Sequence, residues 1–306
     1  MTHSEFYSNG KLLLTGEYLV MHGALALAVP VKFGQSLRIG QQLPEPVIEW
    51  ESLARGKQWF RATMAMPSFE VISSSDPTTA TNLARILSEA GKLNRSPLDD
   101  VRGYQIKTLL SFDRNWGLGS SSTLISNIAY WFDIDPFELF WNIYDGSGYD
   151  IACARAYKPL TYKLVNGLPE IQRSFFFPEY HKQIWFVYTG EKAATGKSIQ
   201  AFRQNQNFGL SDIETISSLT EEMTNAANLH DFERVVREHE CVISKILKAK
   251  PVSETSFGDL EGAVKSLGAW GGDFVMITWR GNRSGLKEYL RAKGLEVFFR
   301  YDEMVL

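Results

Sequence analysis

The chain has 306 residues, 44% of them hydrophobic and 22% charged, with a formal net charge of −3. That is globular composition, long enough for one large domain or two of medium size, and it lacks the basic excess with which a nucleic-acid binder meets phosphate backbones. Two cysteines, Cys153 and Cys241, make no disulfide framework and match no metal-ligand spacing.

No apolar stretch reaches bilayer-spanning length. The opening Met1-Thr2-His3-Ser4-Glu5-Phe6 lacks the basic region and apolar run of a signal peptide. The expectation is a cytoplasmic protein with no membrane and no nucleic-acid partner.

Along the chain, Lys11 to Val20 alternates turn and apolar residues. Leu25 to Val31 and Ser36 to Ile39 read as strands, with Gly23 and Gly34 as breakers. Leu43 to Glu70 predicts a meander or hairpin. Thr79 to Gly91 has helical periodicity, with Leu83, Ile86 and Leu87 on one face, and Val101 to Ser111 reads as a strand. An apolar helix through Leu124, Ile128 and Trp131 follows, then a helix over Pro136 to Asp145 with proline in its first turn. In the second half the pattern predicts a strand at Gln183 to Thr189 and helices at Ser211 to Asn228 and Asp231 to Lys248. A glycine-rich turn at Gly268 to Gly272, a strand at Phe274 to Trp279, a helix after Ser284 and a strand near Glu296 to Arg300 complete it. Strands and helices mix without a βαβ rhythm, so the class is α+β. The aromatic runs Tyr130-Trp131-Phe132 and Phe175-Phe176-Phe177 read as core.

The most informative segment is Gly117-Leu118-Gly119-Ser120-Ser121-Ser122, at a helix start. Glycines let backbone curl around an anion and present N–H groups to it, and a helix N-terminus favours phosphate. Hydroxyls in the first turn can reach phosphate oxygens or Mg²⁺. A glycine turn capped by serine would look the same without any ligand, and no Walker sequence is present.

Company decides between the two readings. Asn9-Gly10-Lys11-Leu12-Leu13-Leu14-Thr15-Gly16-Glu17-Tyr18, the Gly-Leu-Gly-Ser-Ser segment, and Leu267-Gly268-Ala269-Trp270-Gly271-Gly272-Asp273 stand in the order of the three motifs of the GHMP kinases. The resemblance extends over nearly the whole chain and is closest in style to phosphomevalonate and mevalonate kinases. Tyr188-Thr189-Gly190-Glu191-Lys192-Ala193-Ala194-Thr195 is similar to the segment that opens the second domain in both.

The resemblance implies a two-domain GHMP kinase fold. It would have an N-terminal domain of the ribosomal S5 domain 2-like type over residues 1–180 and a ferredoxin-like C-terminal domain over 181–306. It implies ATP and Mg²⁺ as cofactors, a small-molecule alcohol or phosphate acceptor such as mevalonate or phosphomevalonate, and a monomer or homodimer. Asp150, in Gly148-Tyr149-Asp150-Ile151-Ala152, takes the place of the active-site aspartate, with Lys11 as its partner. Gly117, Leu118, Gly119, Ser120, Ser121 and Ser122 would hold the nucleotide, with Ser121 on the metal. Glu17, Tyr18, Thr195 and Lys197 fall on the acceptor side, with Arg203 nearby; Glu17 also reads either as a buried partner of Lys11 or as a surface charge.

Two departures from the pattern stand out, at Leu139 and Trp270. Leu139, with Glu138 beside it, occupies the place of a second metal-binding glutamate. Trp270 replaces a glycine of the third motif, and Asp273 reads as a strand-edge turn residue. His22, His230 and His239 show no metal-ligand spacing. A decarboxylase acting on diphosphomevalonate, a sugar kinase, or a kinase-like sensor would share much of this pattern.

Overall fold

The computed structural model describes residues 4–98, 102–190, 202, 207–268, 270 and 273–306. Its chain contacts gather into two compact units, interleaved along the sequence. One takes Met1–Gly10, Phe33–Arg114 and Leu118–Arg155; the other takes Lys11–Lys32, Asn115–Gly117 and Ala156–Leu306. Compactness therefore does not divide the chain at residue 180, because the first two strands each contribute to both units.

In the first unit, β1 (Ser4–Leu13) enters and pairs with the long β2 (Ala26–Leu43). β3 (Val47–Ala54) and β4 (Lys57–Ala65) form the antiparallel hairpin expected between Leu43 and Glu70. Their connection, Arg55-Gly56, has positive φ at both residues (49° and 79°), the twist that suits a two-residue hairpin. β5 (Val71–Ser74) lies at the sheet edge, α1 (Pro77–Leu93) crosses over, and β6 (Gly103–Leu110) returns parallel to β3, giving the order β5-β4-β3-β6-β2. Alternation along β3 and β4 turns Ile48, Trp50, Phe60, Ala62 and Met64 inward, onto Leu83, Ile86 and Leu87 of α1.

Helix starts follow local chemistry. Asp76 accepts from the amides of Thr78 (3.0 Å) and Thr79 (3.2 Å) ahead of Pro77. Asp135 does the same for Phe137 (2.8 Å) ahead of Pro136, opening α3 (Pro136–Ile143). α2 (Ser120–Phe132) and α4 (Tyr149–Ala154) complete this unit.

Gly34 does not break a strand: β2 runs through it. A Cβ there would lie 2.4 Å from the Ser8 carbonyl oxygen and 2.5 Å from the Tyr7 hydroxyl, so the glycine serves close approach of β1.

In the second unit, the start of β2 pairs with β7 (Leu160–Val165), which pairs with β8 (Leu168–Arg173). β9 (Ile184–Tyr188) is followed by α5 (Leu210–Asn225), α6 (Leu229–Leu247) and α7 (Val252–Thr255). Then come β10 (Val264–Ser266), β11 (Phe274–Thr278), α8 (Arg283–Ala292), β12 (Phe298–Arg300) and α9 (Tyr301–Met304). The sheet order β10-β11-β9-β12, with its neighbours antiparallel, is that of a split βαβ arrangement, the ferredoxin-like layout. Trp185, Val187, Val264, Val275, Ile277, Leu286 and Leu290 pack beneath it. No helix among the described residues is long and apolar enough to cross a membrane.

Candidate active site

The glycine-serine segment folds as its composition dictates. Gly119 caps α2 at φ 86°, with no side chain bonded to the exposed first-turn amides, and Thr123 N–H closes the first turn onto the Gly119 carbonyl (3.0 Å). The amides of Ser120, Ser121 and Ser122 are thus the helix's outward donors, suited to an anion. Ser121 is exposed and Ser120 half-buried. Ser122 is buried, and its hydroxyl donates a short hydrogen bond to Oδ2 of Asp150. Asp150 sits in the first turn of α4 behind Gly148, and its Oδ1 accepts from the Ile151 amide (3.1 Å). The first unit therefore joins the serine run to the mid-chain aspartate. Ser122 was expected to contact phosphate directly; here its proton is directed to Asp150, leaving its oxygen as an acceptor.

In the second unit, Lys11 Nζ donates to the carbonyl of Gly117 (3.0 Å). The Asp273 carboxylate packs closely against that residue: a Cβ on Gly117 would come within 2.1 Å of it. The main-chain carbonyl of Asp273 accepts from the Thr189 amide (2.8 Å) and hydroxyl (3.0 Å). Lys11 and Asp273 thus fix the glycine that leads into the serine run, a role beyond the turn residue expected for Asp273.

Glu17 corrects a sequence expectation. It is 1% exposed, which offers no surface to an acceptor, and its ion-pair partner is Lys265 rather than Lys11. Its neighbour Tyr18 has φ 62°, and the Tyr18 hydroxyl accepts from the Trp270 amide (3.1 Å). The Tyr18 ring meets Phe202 (5.0 Å between centroids), which stacks on Phe208 beside His22. His239, expected as an ordinary helix residue, is fully buried and accepts from the Gly16 amide (3.2 Å). Burial, then the Lys265 charge, hold its pKa well below the usual histidine value. Sequence reading missed Lys265 and Glu240, which lie 248 and 223 residues beyond Glu17. A lysine inside a short apolar strand was the available signal. Thr195, Lys197 and Arg203 lie outside the described residues.

For Mg²⁺, the described residues contain no group of three or more acidic, histidine or cysteine side chains placed to hold a metal ion. Glu138 is exposed while Leu139, its neighbour, is fully buried. Among the described residues the donor set does not fit a protein-built cage; the exposed Ser121 hydroxyl is of a kind that suits an ion carried mainly by phosphate oxygens and water. A hollow of about 990 Å³ on the first unit's sheet, between Arg38, Glu51, Arg61 and Lys107, includes none of these residues.

No protein-family model matches the sequence, and no curated protein matches it. Solved structures do. The Streptococcus pneumoniae phosphomevalonate kinase in complex with phosphomevalonate and AMPPNP aligns with a TM-score of 0.72 at 16% identity, over 97% of this chain and 99% of that one. The Methanococcus jannaschii mevalonate kinase aligns at 0.66 and 17%, over 97% of each. The Lactococcus lactis galactokinase complexed with galactose aligns at 0.68 and 11%, over 97% and 92%. The chain has the fold of the GHMP kinases.

Proposed function

We propose that this chain is a GHMP-type kinase that moves the γ-phosphoryl of ATP onto a small alcohol or phosphate acceptor, with mevalonate and phosphomevalonate as the leading candidates. The observation that carries the reading is the hydrogen bond from Ser122, in the first turn of α2, to Asp150 in the first turn of α4. It sets a carboxylate beside a row of outward amides within a fold shared with phosphomevalonate, mevalonate and galactose kinases.

On this reading the amides of Ser120 to Ser122 and the α2 dipole bind the phosphates. Lys11 adds a cation at Gly117, and Ser121 is the hydroxyl in reach of Mg²⁺. The ion, when bound, neutralises phosphate charge. With an alcohol acceptor, Asp150 takes the hydroxyl proton as the acceptor oxygen bonds to the γ-phosphorus and the bond to the β–γ bridging oxygen breaks, releasing ADP. With a phosphate acceptor no proton needs removal, and Asp150 serves to orient. Most of the acceleration then comes from positioning and charge.

The test is ADP production by the purified protein with ATP, Mg²⁺ and a panel of mevalonate, phosphomevalonate, diphosphomevalonate and galactose, with CO₂ release followed in parallel. Turnover on an alcohol or phosphate without CO₂ is the expected result. Asp150→Ala should lower kcat by about 10²–10⁴-fold, the range for losing a positioned acid–base group; unchanged turnover removes Asp150 from the chemistry. The galactokinase likeness keeps a sugar acceptor as the second reading, which the galactose arm decides.

A further inference from the structure

The second unit buries a cluster of ionisable groups at the turn that follows Lys11. Lys265, on β10 and with no exposed surface, donates to Oε1 of Glu17 and to the Ser266 carbonyl (3.2 Å), and its Nζ lies 3.7 Å from Oε1 of Glu240. Glu240 and His239 come from α6. Glu240 Oε1 also accepts from the Ser266 amide (3.2 Å), and His239 Nε2 lies 3.4 Å from Oε2 of Glu17 while accepting from Gly16 N–H. The remaining oxygens, Oε2 of Glu17 and Oε2 of Glu240, are buried without a hydrogen-bond partner. From α5 the group facing the turn is the Thr220 hydroxyl, which donates to Thr15 Oγ1 (2.8 Å).

The charges do not balance. One buried ammonium faces two buried carboxyls, and the histidine is neutral because its Nε2 accepts an amide proton. With both carboxylates ionised, a net negative charge would sit in a dry interior, which is costly. One proton on a carboxyl oxygen removes it. Burial pushes Glu240 up to about 7, with the ammonium of Lys265 pulling the other way and Glu17 adding to the rise; burial also raises Glu17. The turn that these groups grip is strained: Tyr18 is a bulky residue at positive φ, which persists only where its surroundings over-determine it.

We propose that Lys265 is a positioning residue for the acceptor side of the site, holding the turn Gly16–Tyr18 through Glu17 while Glu240 carries the proton that keeps the cluster neutral. The effect on the acceptor rests on the kinase reading; the proton does not.

Three measurements test it. The first follows the Gly16 amide resonance in the ¹⁵N-labelled protein against pH. It should titrate near pH 7 in the wild type and stay flat in Glu240→Gln, whose amide mimics the protonated carboxyl. The second compares melting temperatures. A folded-state pKa above the ordinary carboxyl value gives stability present at low pH and lost as pH rises towards 7, so Glu240→Gln should gain on the wild type between pH 5 and 8. A margin that does not change with pH, or a Gly16 resonance that titrates equally in both, overturns the proposal. The third is kinetic. Lys265→Met should raise KM for the acceptor at least tenfold with KM for ATP unchanged, and adding Glu17→Gln, which removes the stranded carboxylate, should recover most of the loss. An unchanged acceptor KM in Lys265→Met overturns the positioning role. If Lys265→Met does not fold, the Glu240→Gln measurements still decide. Absence of turnover by the wild type on every acceptor sinks the kinase reading and the acceptor role with it, whereas the Gly16 titration then still passes or fails the shared proton.

Discussion

Ser122 and Asp150 lie 28 residues apart on different helices, yet each was legible. Short-range chemistry marks the serines, which follow a Gly-x-Gly turn, whereas Asp150 was marked by the motif resemblance alone. Their contact was not, because neither spacing says which hydroxyl of three turns inward. Burial of Ser122 and exposure of Ser121 settle that point. Ser122→Ala removes the hydrogen bond that orients Asp150 without removing an amide from α2, so it should lower kcat about tenfold or more while KM for ATP moves little; steady-state kinetics with varied ATP check it. Glu17 shows the opposite limit. Its burial was one of two readings left open by the sequence, and its partner Lys265 lies 248 residues further on, beyond any local pattern.

At the scale of elements, periodicity located α1, α3, α5, α6 and β11 to within a few residues, because caps such as Asp76 and Asp135 and the apolar faces are local. Gly34 misled, since a glycine inside a strand reads as a break until the neighbouring strand is known. The steric reason gives a prediction. Gly34→Val drives a side chain into the Ser8 carbonyl and the Tyr7 ring, where backbone cannot yield cheaply, and should cost about 1–3 kcal/mol, read as a lower denaturant midpoint at constant slope. The β7–β8 hairpin was among the elements left unassigned in sequence. Its turn, Asn166-Gly167, with φ of 53° and 78°, is among the strongest short-range hairpin signals, but β8 is exposed along most of its length and lacks the alternation by which a half-buried strand declares itself.

For the molecule as a whole, the motifs forecast the fold class and the ferredoxin-like sheet, while the division of the chain into compact units was not visible, because it depends on which strands pair. Binding and turnover are also separable at this scale. If the α2 amides hold nucleotide, ATP with Mg²⁺ at about a hundred times its Kd should stabilise the folded protein by about 2.7 kcal/mol, in Asp150→Ala as in the wild type. A thermal shift in both proteins, with turnover in one, separates a kinase from a sensor. No shift in either argues against the phosphate cradle.

The interleaving of the two units has a consequence for biosynthesis. Lys11–Lys32 leaves the ribosome well before Ala156–Leu306, the segment with which it belongs. Its pairing strand β7, the Thr220 hydroxyl, His239 and Lys265 emerge only after well over a hundred further residues. The nascent chain must keep this apolar segment, Leu12 to Val31, out of trouble for that interval, which makes it the natural place for a holding chaperone to grip. For the same reason a fragment beginning at Ala156 arrives without its own first strand, and should show no cooperative melting by circular dichroism until residues 11–32 are supplied.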